Sequence, residues 1–212
     1  MSYTARDIRN VCLIGHGGDG KTALAESMLY YTKGTDRLGK SAEGTTVSDF
    51  DPEEIKRKYS ISTSIIPIEY GKSKINLFDN PGYFDFAGEV MQSIRVVDSG
   101  VIVVSAKNGI GVGTEKSWKY LYERKLPRFV YISKLDEEHA DFFKTFEALR
   151  ERFGKTLAPI VIPITEGDKL SVSWISSIRM RSCPERARPS IPISPQIFRT
   201  RWRNTMSSSA RP

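Results

Sequence analysis

The sequence predicts an α/β fold, a mostly parallel sheet with helices on both faces, and three observations carry that prediction. Short apolar runs alternate with amphipathic stretches along residues 1–165. The first apolar run, 11–14, passes through a Gly-rich loop into a helical stretch at 23–30. The later run at 101–104 is apolar throughout, as strands buried on both faces are, and a further strand follows at 129–132.

The elements follow in order. After the first helix, the polar and Gly-rich segment from 33 to about 60 is too long for an ordinary connection and lies where a nucleotide-sensing loop would lie. Residues 64–70 and 74–78 read as two strands around a turn at Gly71, and the second runs into Asp79. A helix over 86–98 precedes the strand 101–104, and a helix over 114–124 precedes the strand 129–132. A helix over 139–153 leads to a last strand at 160–162, which the pattern adds to the same sheet.

At about Glu166 the pattern changes. Residues 166–212 hold ten Ser, eight Arg and five Pro, 23 of 47 positions, without a sustained period of 2 or 3.6. The sequence therefore divides into a domain at 1–165 and a Ser/Arg/Pro-rich tail at 166–212, disordered or out of frame. The chain carries a net charge of +7, but the tail, with nine basic and three acidic residues, supplies +6 of it. The basic balance is thus local and does not make the domain a nucleic-acid binder. The tail, with Arg201-Trp202-Arg203, has the composition to adhere to RNA non-specifically. Cys12 reads as a small core residue, and two cysteines suggest no disulfide scaffold, so a reducing, cytoplasmic setting is expected. No stretch has the length of a membrane helix, and no membrane partner is expected.

The loop Gly15-His16-Gly17-Gly18-Asp19-Gly20-Lys21-Thr22 has the form GxxxxGK(S/T). Its glycines let backbone N–H groups converge on phosphate oxygens, Lys21 reaches the outer phosphates, and the Thr22 hydroxyl is suited to ligate Mg²⁺ at a helix N-terminus. Asp79-Asn80-Pro81-Gly82 has the form DxxG at a strand end, where Asp79 would hold Mg²⁺ through water and Gly82 would meet a γ-phosphate. Ser133-Lys134-Leu135-Asp136 matches NKxD with Ser for Asn, and the Asp136 carboxylate would accept from the ring N–H and exocyclic amine of guanine. The fold class is accordingly that of the P-loop NTPases. Two isolated histidines, His16 and His139, make no zinc site. Tyr30, Tyr31, Phe142, Phe143 and Phe146 read as helix faces packed on the sheet, and Glu137-Glu138 as a solvated helix start.

With these motifs in order, residues 6–165 resemble the GTP-binding domain of the translational GTPases, on the elongation factor G branch. The resemblance takes in Arg9-Asn10, Gly15-His16, the stretch from Asp49 through Arg57-Lys58-Tyr59-Ser60-Ile61 as a first switch, Asp79 to Phe86, and Val112-Gly113-Thr114-Glu115. It implies binding of GTP or GDP with Mg²⁺, hydrolysis of GTP, and the ribosome as partner in translocation. It implies Thr22, Ser60 and Asp79 at the metal, Lys21 and Tyr83 as catalytic positions, and base contacts from Ser133 to Asp136. Tyr83 stands where the family has His; a phenol with a pKa near ~10 is a poor base, which puts hydrolysis in question. Gly18 occupies the family's Asp position, so the ligand role does not pass to Asp19. Ser133 loses an amide worth about 1 kcal/mol, while Asp136 keeps the choice of guanine. The fifth GTPase motif, a Ser-Ala pair after a later strand, is not found beyond Asp136; Ser105-Ala106-Lys107 imitates it on the wrong side and reads as a strand-ending loop. The domain is therefore expected to be incomplete at its C-terminal end. Two alternatives stay open: a guanine-nucleotide-binding module with very slow hydrolysis, and an inactive truncated fragment with an RNA-adhesive tail.

Overall fold

The centre of the domain is a strand whose second half, residues 12–15, is buried on both faces. In the computed structural model, which describes residues 3–154, 156–166 and 169–174, β1 (Ile8–Gly15) is flanked by parallel neighbours on both edges. Its side chains alternate between two cores. Cys12 and Ile14 enter a cluster with Phe78, Ile102, Val104 and Leu121, while Leu13 enters one with Ala25, Leu29, Ile66 and Leu77. α1 (Lys21–Tyr31) contributes Ala25 and Leu29 to the second cluster. α3 (Ala87–Ile94), α4 (Val112–Glu123) and α5 (Phe142–Phe153) contribute Val90, Ile94, Leu121 and Leu149 to the first. Helices therefore cover both faces, as the sequence predicts.

The five-stranded sheet has the order β2-β3-β1-β4-β5, with β2 (Ser64–Tyr70) antiparallel to β3 (Ser73–Asp79) and the remaining pairs parallel through β4 (Ser99–Ser105) and β5 (Arg128–Ser133). The chain leaves β1 between β3 and β4, so the loop after β1 opens at the point where the strand order reverses, the usual ligand crevice of such sheets. The short α2 (Pro52–Arg57) interrupts the long polar segment; Asp51 caps it by accepting from the Glu53 N–H at 2.8 Å.

Several sequence expectations are corrected. The last expected strand does not join the main sheet: β6 (Val161–Glu166) pairs antiparallel with β7 (Lys169–Trp174) in a separate two-stranded sheet, within a second unit that begins at Ala158. β7 lies inside the segment that reads as patternless, because the alternation of Leu170, Val172 and Trp174 with Ser is only six residues long and sits in a Ser-rich stretch. The rest of the tail, including the RNA-adhesive reading, Arg201-Trp202-Arg203 and Cys183, lies outside the described residues. Tyr30 and Tyr31 are not packed on the sheet; they are 49% and 78% exposed at the end of α1, whereas Phe146 is buried as expected. α5 starts at Phe142 behind an Asp141 cap, later than expected, so Glu137 lies before the helix and pairs with Lys134 and Lys107 at 3.0 and 3.1 Å.

Cys12 offers a test of this core. Burial pushes its thiol up to about 12, so the reactive thiolate is absent near neutral pH. Iodoacetamide at pH 8 should leave Cys12 unlabelled in the native chain and label it in denaturant, read by peptide mapping; rapid native labelling would contradict a two-faced central strand.

Candidate functional site

The loop between β1 and α1 takes a path that only glycine tolerates well. Gly18 and Gly20 have φ of 79° and 91°, and Gly20 supplies the left-handed residue from which α1 begins at Lys21. Lys21 folds back over the loop. Its Nζ donates to the carbonyls of His16 at 2.8 Å and Gly15 at 3.3 Å, and burial lowers its pKa against the opposing pull of Asp79 and Asp19. The Asp19 carboxylate turns back to accept from the His16 N–H at 3.2 Å, so it serves the loop's own shape.

The structure brings the second motif onto the first. The Thr22 hydroxyl donates to Asp79 Oδ2 at 2.8 Å. Gly82 lies so close to the loop that a Cβ there would overlap Lys21 Nζ and come within 2.7 Å of Gly17 Cα. Pro81 is buried. Asn80 is fully buried; its amide donates to the Leu13 and Phe78 carbonyls, and its oxygen accepts from the Thr63 and Ser93 hydroxyls. Burial raises the Asp79 carboxyl to about 7, and its Oδ1 has no hydrogen-bond partner among the described residues.

Ser60 completes this corner. Its hydroxyl donates to Asp49 Oδ1 at 2.7 Å, while Thr22 directs its own proton to Asp79. The two hydroxyl oxygens then face each other at 3.2 Å with lone pairs, beside the orphan Asp79 oxygen. Hard oxygens of this kind suit a small divalent cation, and this donor set fits Mg²⁺.

The third motif also reaches the loop. The Ser133 hydroxyl, at the end of β5, lies 2.6 Å from the Asp19 carbonyl and donates to it, so serine retains the bracing that the sequence reading gives up with the missing Asn. Lys134 follows with φ of 58° and pairs with Glu137, Leu135 is half-buried, and Asp136 stands exposed on the turn. Ser105 and Ala106 behave as the strand-ending loop expected: Ser105 Oγ accepts from the Asn108 N–H, and the Ala106 carbonyl from Thr145.

Tyr83 lies against the loop. A Cβ at Gly17 would sit 3.2 Å from its ring, which also meets the Tyr59 ring at 4.7 Å between centroids. His16 packs beside Phe84 and the start of α4, and its Nδ1 is buried without a partner among the described residues.

Sequence reasoning missed the carboxylates behind this site. Glu26, Glu54 and Glu89 accept from backbone N–H groups of Val47, Ile61 and Thr63 at 2.7, 2.8 and 2.9 Å. A usable signal existed for Glu26, since it falls on the same face of α1 as Thr22, four residues on, at a position the apolar pattern would fill.

The model of the family described as "Elongation factor Tu GTP binding domain" matches residues 6–199. The chain belongs to this family of translation-factor GTPases. It is 36% identical over 171 residues to "Elongation factor G 2" of Borreliella afzelii (strain PKo), covering 81% of this chain and 25% of that protein. It is 37% identical over 169 residues to "Ribosome-releasing factor 2, mitochondrial" of Anopheles gambiae, covering 80% and 23%. A solved structure from Thermus thermophilus superposes with a TM-score of 0.74 at 39% identity, over 77% of this chain and 24% of that one. The chain thus spans about a quarter of the length of these relatives. Among the described residues, no helix is long and apolar enough to cross a membrane.

Proposed function

We propose that this domain binds Mg·GTP and hydrolyses it to GDP and phosphate by in-line attack of water, as the nucleotide-driven part of a ribosomal translocation factor working in the cytoplasm. The observation that supports this most is the run of contacts from Ser60 to Thr22 at 3.2 Å and from Thr22 to Asp79 at 2.8 Å, with the charge of Asp79 acting on Lys21 and Asp79 Oδ1 buried and unpartnered among the described residues. Lys21 and the loop amides would stabilise phosphate charge, Gly82 would meet the γ-phosphate, and Ser133 to Asp136 would hold the base. Thr22, Ser60 and Asp79 would hold Mg²⁺, which when bound neutralises charge on the outer phosphates. The names of the relatives support the ribosome as partner.

Tyr83 favours a second reading, a guanine-nucleotide switch with very slow turnover, because its ring occupies the space over Gly17 and its phenol is a poor base. A fluorescent-GDP titration with Mg²⁺, competed by GTP, GDP and ATP, tests the pocket. Displacement by both guanine nucleotides and not by ATP is expected; no saturable binding would overturn the proposal. Phosphate release above the solution rate then favours hydrolysis, and release at that rate favours the switch.

A further inference from the structure

We propose that Glu26 is a positioning residue for the cation corner: it fixes the Asp49 side of the polar segment to α1 and thereby aims the Ser60 hydroxyl. This rests on the reading of Thr22, Ser60 and Asp79 as the Mg²⁺ corner.

Glu26 has no solvent exposure, and its Oε1 accepts from the Val47 N–H at 2.7 Å and the Ser48 N–H at 3.4 Å. Its other oxygen has no partner among the described residues. The backbone closes tightly around it: a Cβ on Gly39 would overlap the carboxylate and come within 2.8 Å of Thr46 Cα. A buried, half-satisfied carboxylate costs stability relative to an apolar side chain of the same volume. Its connections explain what it does. Asp49, the next residue after Ser48, takes the Ser60 proton at 2.7 Å, and Ser60 then presents its lone pairs to Thr22 at 3.2 Å. Thr22 lies one turn before Glu26 on α1, so the path from Thr22 through Ser60, Asp49 and the Val47–Ser48 backbone returns to the helix where it began.

The opposite side of the segment has fastenings of its own. Glu54 accepts from the Ile61 and Ser62 N–H groups at 2.8 and 2.9 Å, and Glu89 from the Thr63 N–H at 2.9 Å. On the Asp49 side, Glu26 is the carboxylate that ties the backbone to a helix of the sheet. Removing it should free Asp49 while leaving Ser60's backbone held, so the Ser60 proton loses its direction and the lone-pair arrangement is lost.

The test uses the full chain with Glu26→Met, which keeps side-chain length and removes the acceptor, and Glu26→Gln, whose amide oxygen accepts the same N–H groups. Fluorescent-GDP dissociation is measured in Mg²⁺ and in excess EDTA. Glu26→Met should speed dissociation in Mg²⁺ by roughly ten- to hundredfold, the loss of charge-assisted bonds, and leave the EDTA rate unchanged. Glu26→Gln should restore most of the Mg²⁺ effect. A general loss of structure would raise both rates. An unchanged ratio of the two rates in Glu26→Met overturns the proposal. If the unaltered chain shows no Mg²⁺ effect, the metal corner itself fails. Hydrogen exchange of the nucleotide-free, unaltered chain stands apart from both: the Val47 amide should be protected as strongly as the sheet, and fast exchange there overturns the clamp even if Glu26→Met does not fold.

Discussion

Lys21→Ala is expected to remove guanine-nucleotide binding from this chain while leaving its fold intact. Lys21 is 6% exposed, its ammonium donates to two backbone carbonyls, and burial disfavours its charge against the pull of Asp79 and Asp19. In the nucleotide-free domain it therefore costs stability, and truncating it should leave the melting temperature unchanged or raised. With nucleotide present, those two carbonyl bonds are a poor substitute for a phosphate, and the charge-assisted bonds to phosphate oxygens become the favourable ones. Losing them should weaken binding by roughly 10²-fold or more, about 3 kcal/mol. Fluorescent-GDP titration of Lys21→Ala beside its thermal melt separates the effects. Affinity within about threefold of the unaltered chain, less than ~0.7 kcal/mol, would show that Lys21 does not reach phosphate.

Gly15→Ala should damage the fold itself. Gly15 pairs with Val103 at the end of the β1–β4 ladder, and its φ is 150°. A Cβ there would run into the Val103 carbonyl oxygen and stand 3.3 Å from its carbon. The obstruction is backbone in the centre of a sheet, not a side chain that could swing aside. Relief requires β1 and β4 to separate beneath the loop, which opens the cluster around Ile14 and Ile102. A loss of at least ~3 kcal/mol is expected, a large share of the stability of such a domain. Urea unfolding followed by circular dichroism measures it; a change below ~0.5 kcal/mol would mean that the loop does not leave β1 against Val103.

The three motifs that meet the loop after β1, and the sheet that carries them, were legible because each is local: a strand end, a few residues of loop, and a fixed spacing. The apolar runs at 11–14 and 101–104 became the adjacent inner strands β1 and β4, while 129–132 became the edge strand β5, with Phe129 and Tyr131 exposed. What escaped was set by distance in sequence. The Ser133 bond to the Asp19 carbonyl spans 114 positions, and the Glu26 bond to Val47 joins a helix to an irregular loop. Spacing rules hold nothing about such pairs. Tyr30 and Tyr31 misled because a helical stripe was assumed to continue to the end of α1, where the sheet no longer lies beneath it. β7 was hidden by composition: Ser satisfies the polar half of an alternating strand as well as it satisfies a disordered tail.

The Asn80 amide has a mechanical consequence. It uses both of its donors on β1 and β3 carbonyls and receives two hydroxyls, one from α3 and one from Thr63, where the segment enters β2. Four parts of the domain are thus pinned through a single planar group without solvent access. A small rotation of α3 or a small lift of the segment cannot be shared out gradually, because each increment bends bonds that no water can replace. Such a joint resists small excursions and yields only by release, so motion at this end of the sheet should be stepwise, with a threshold, rather than graded.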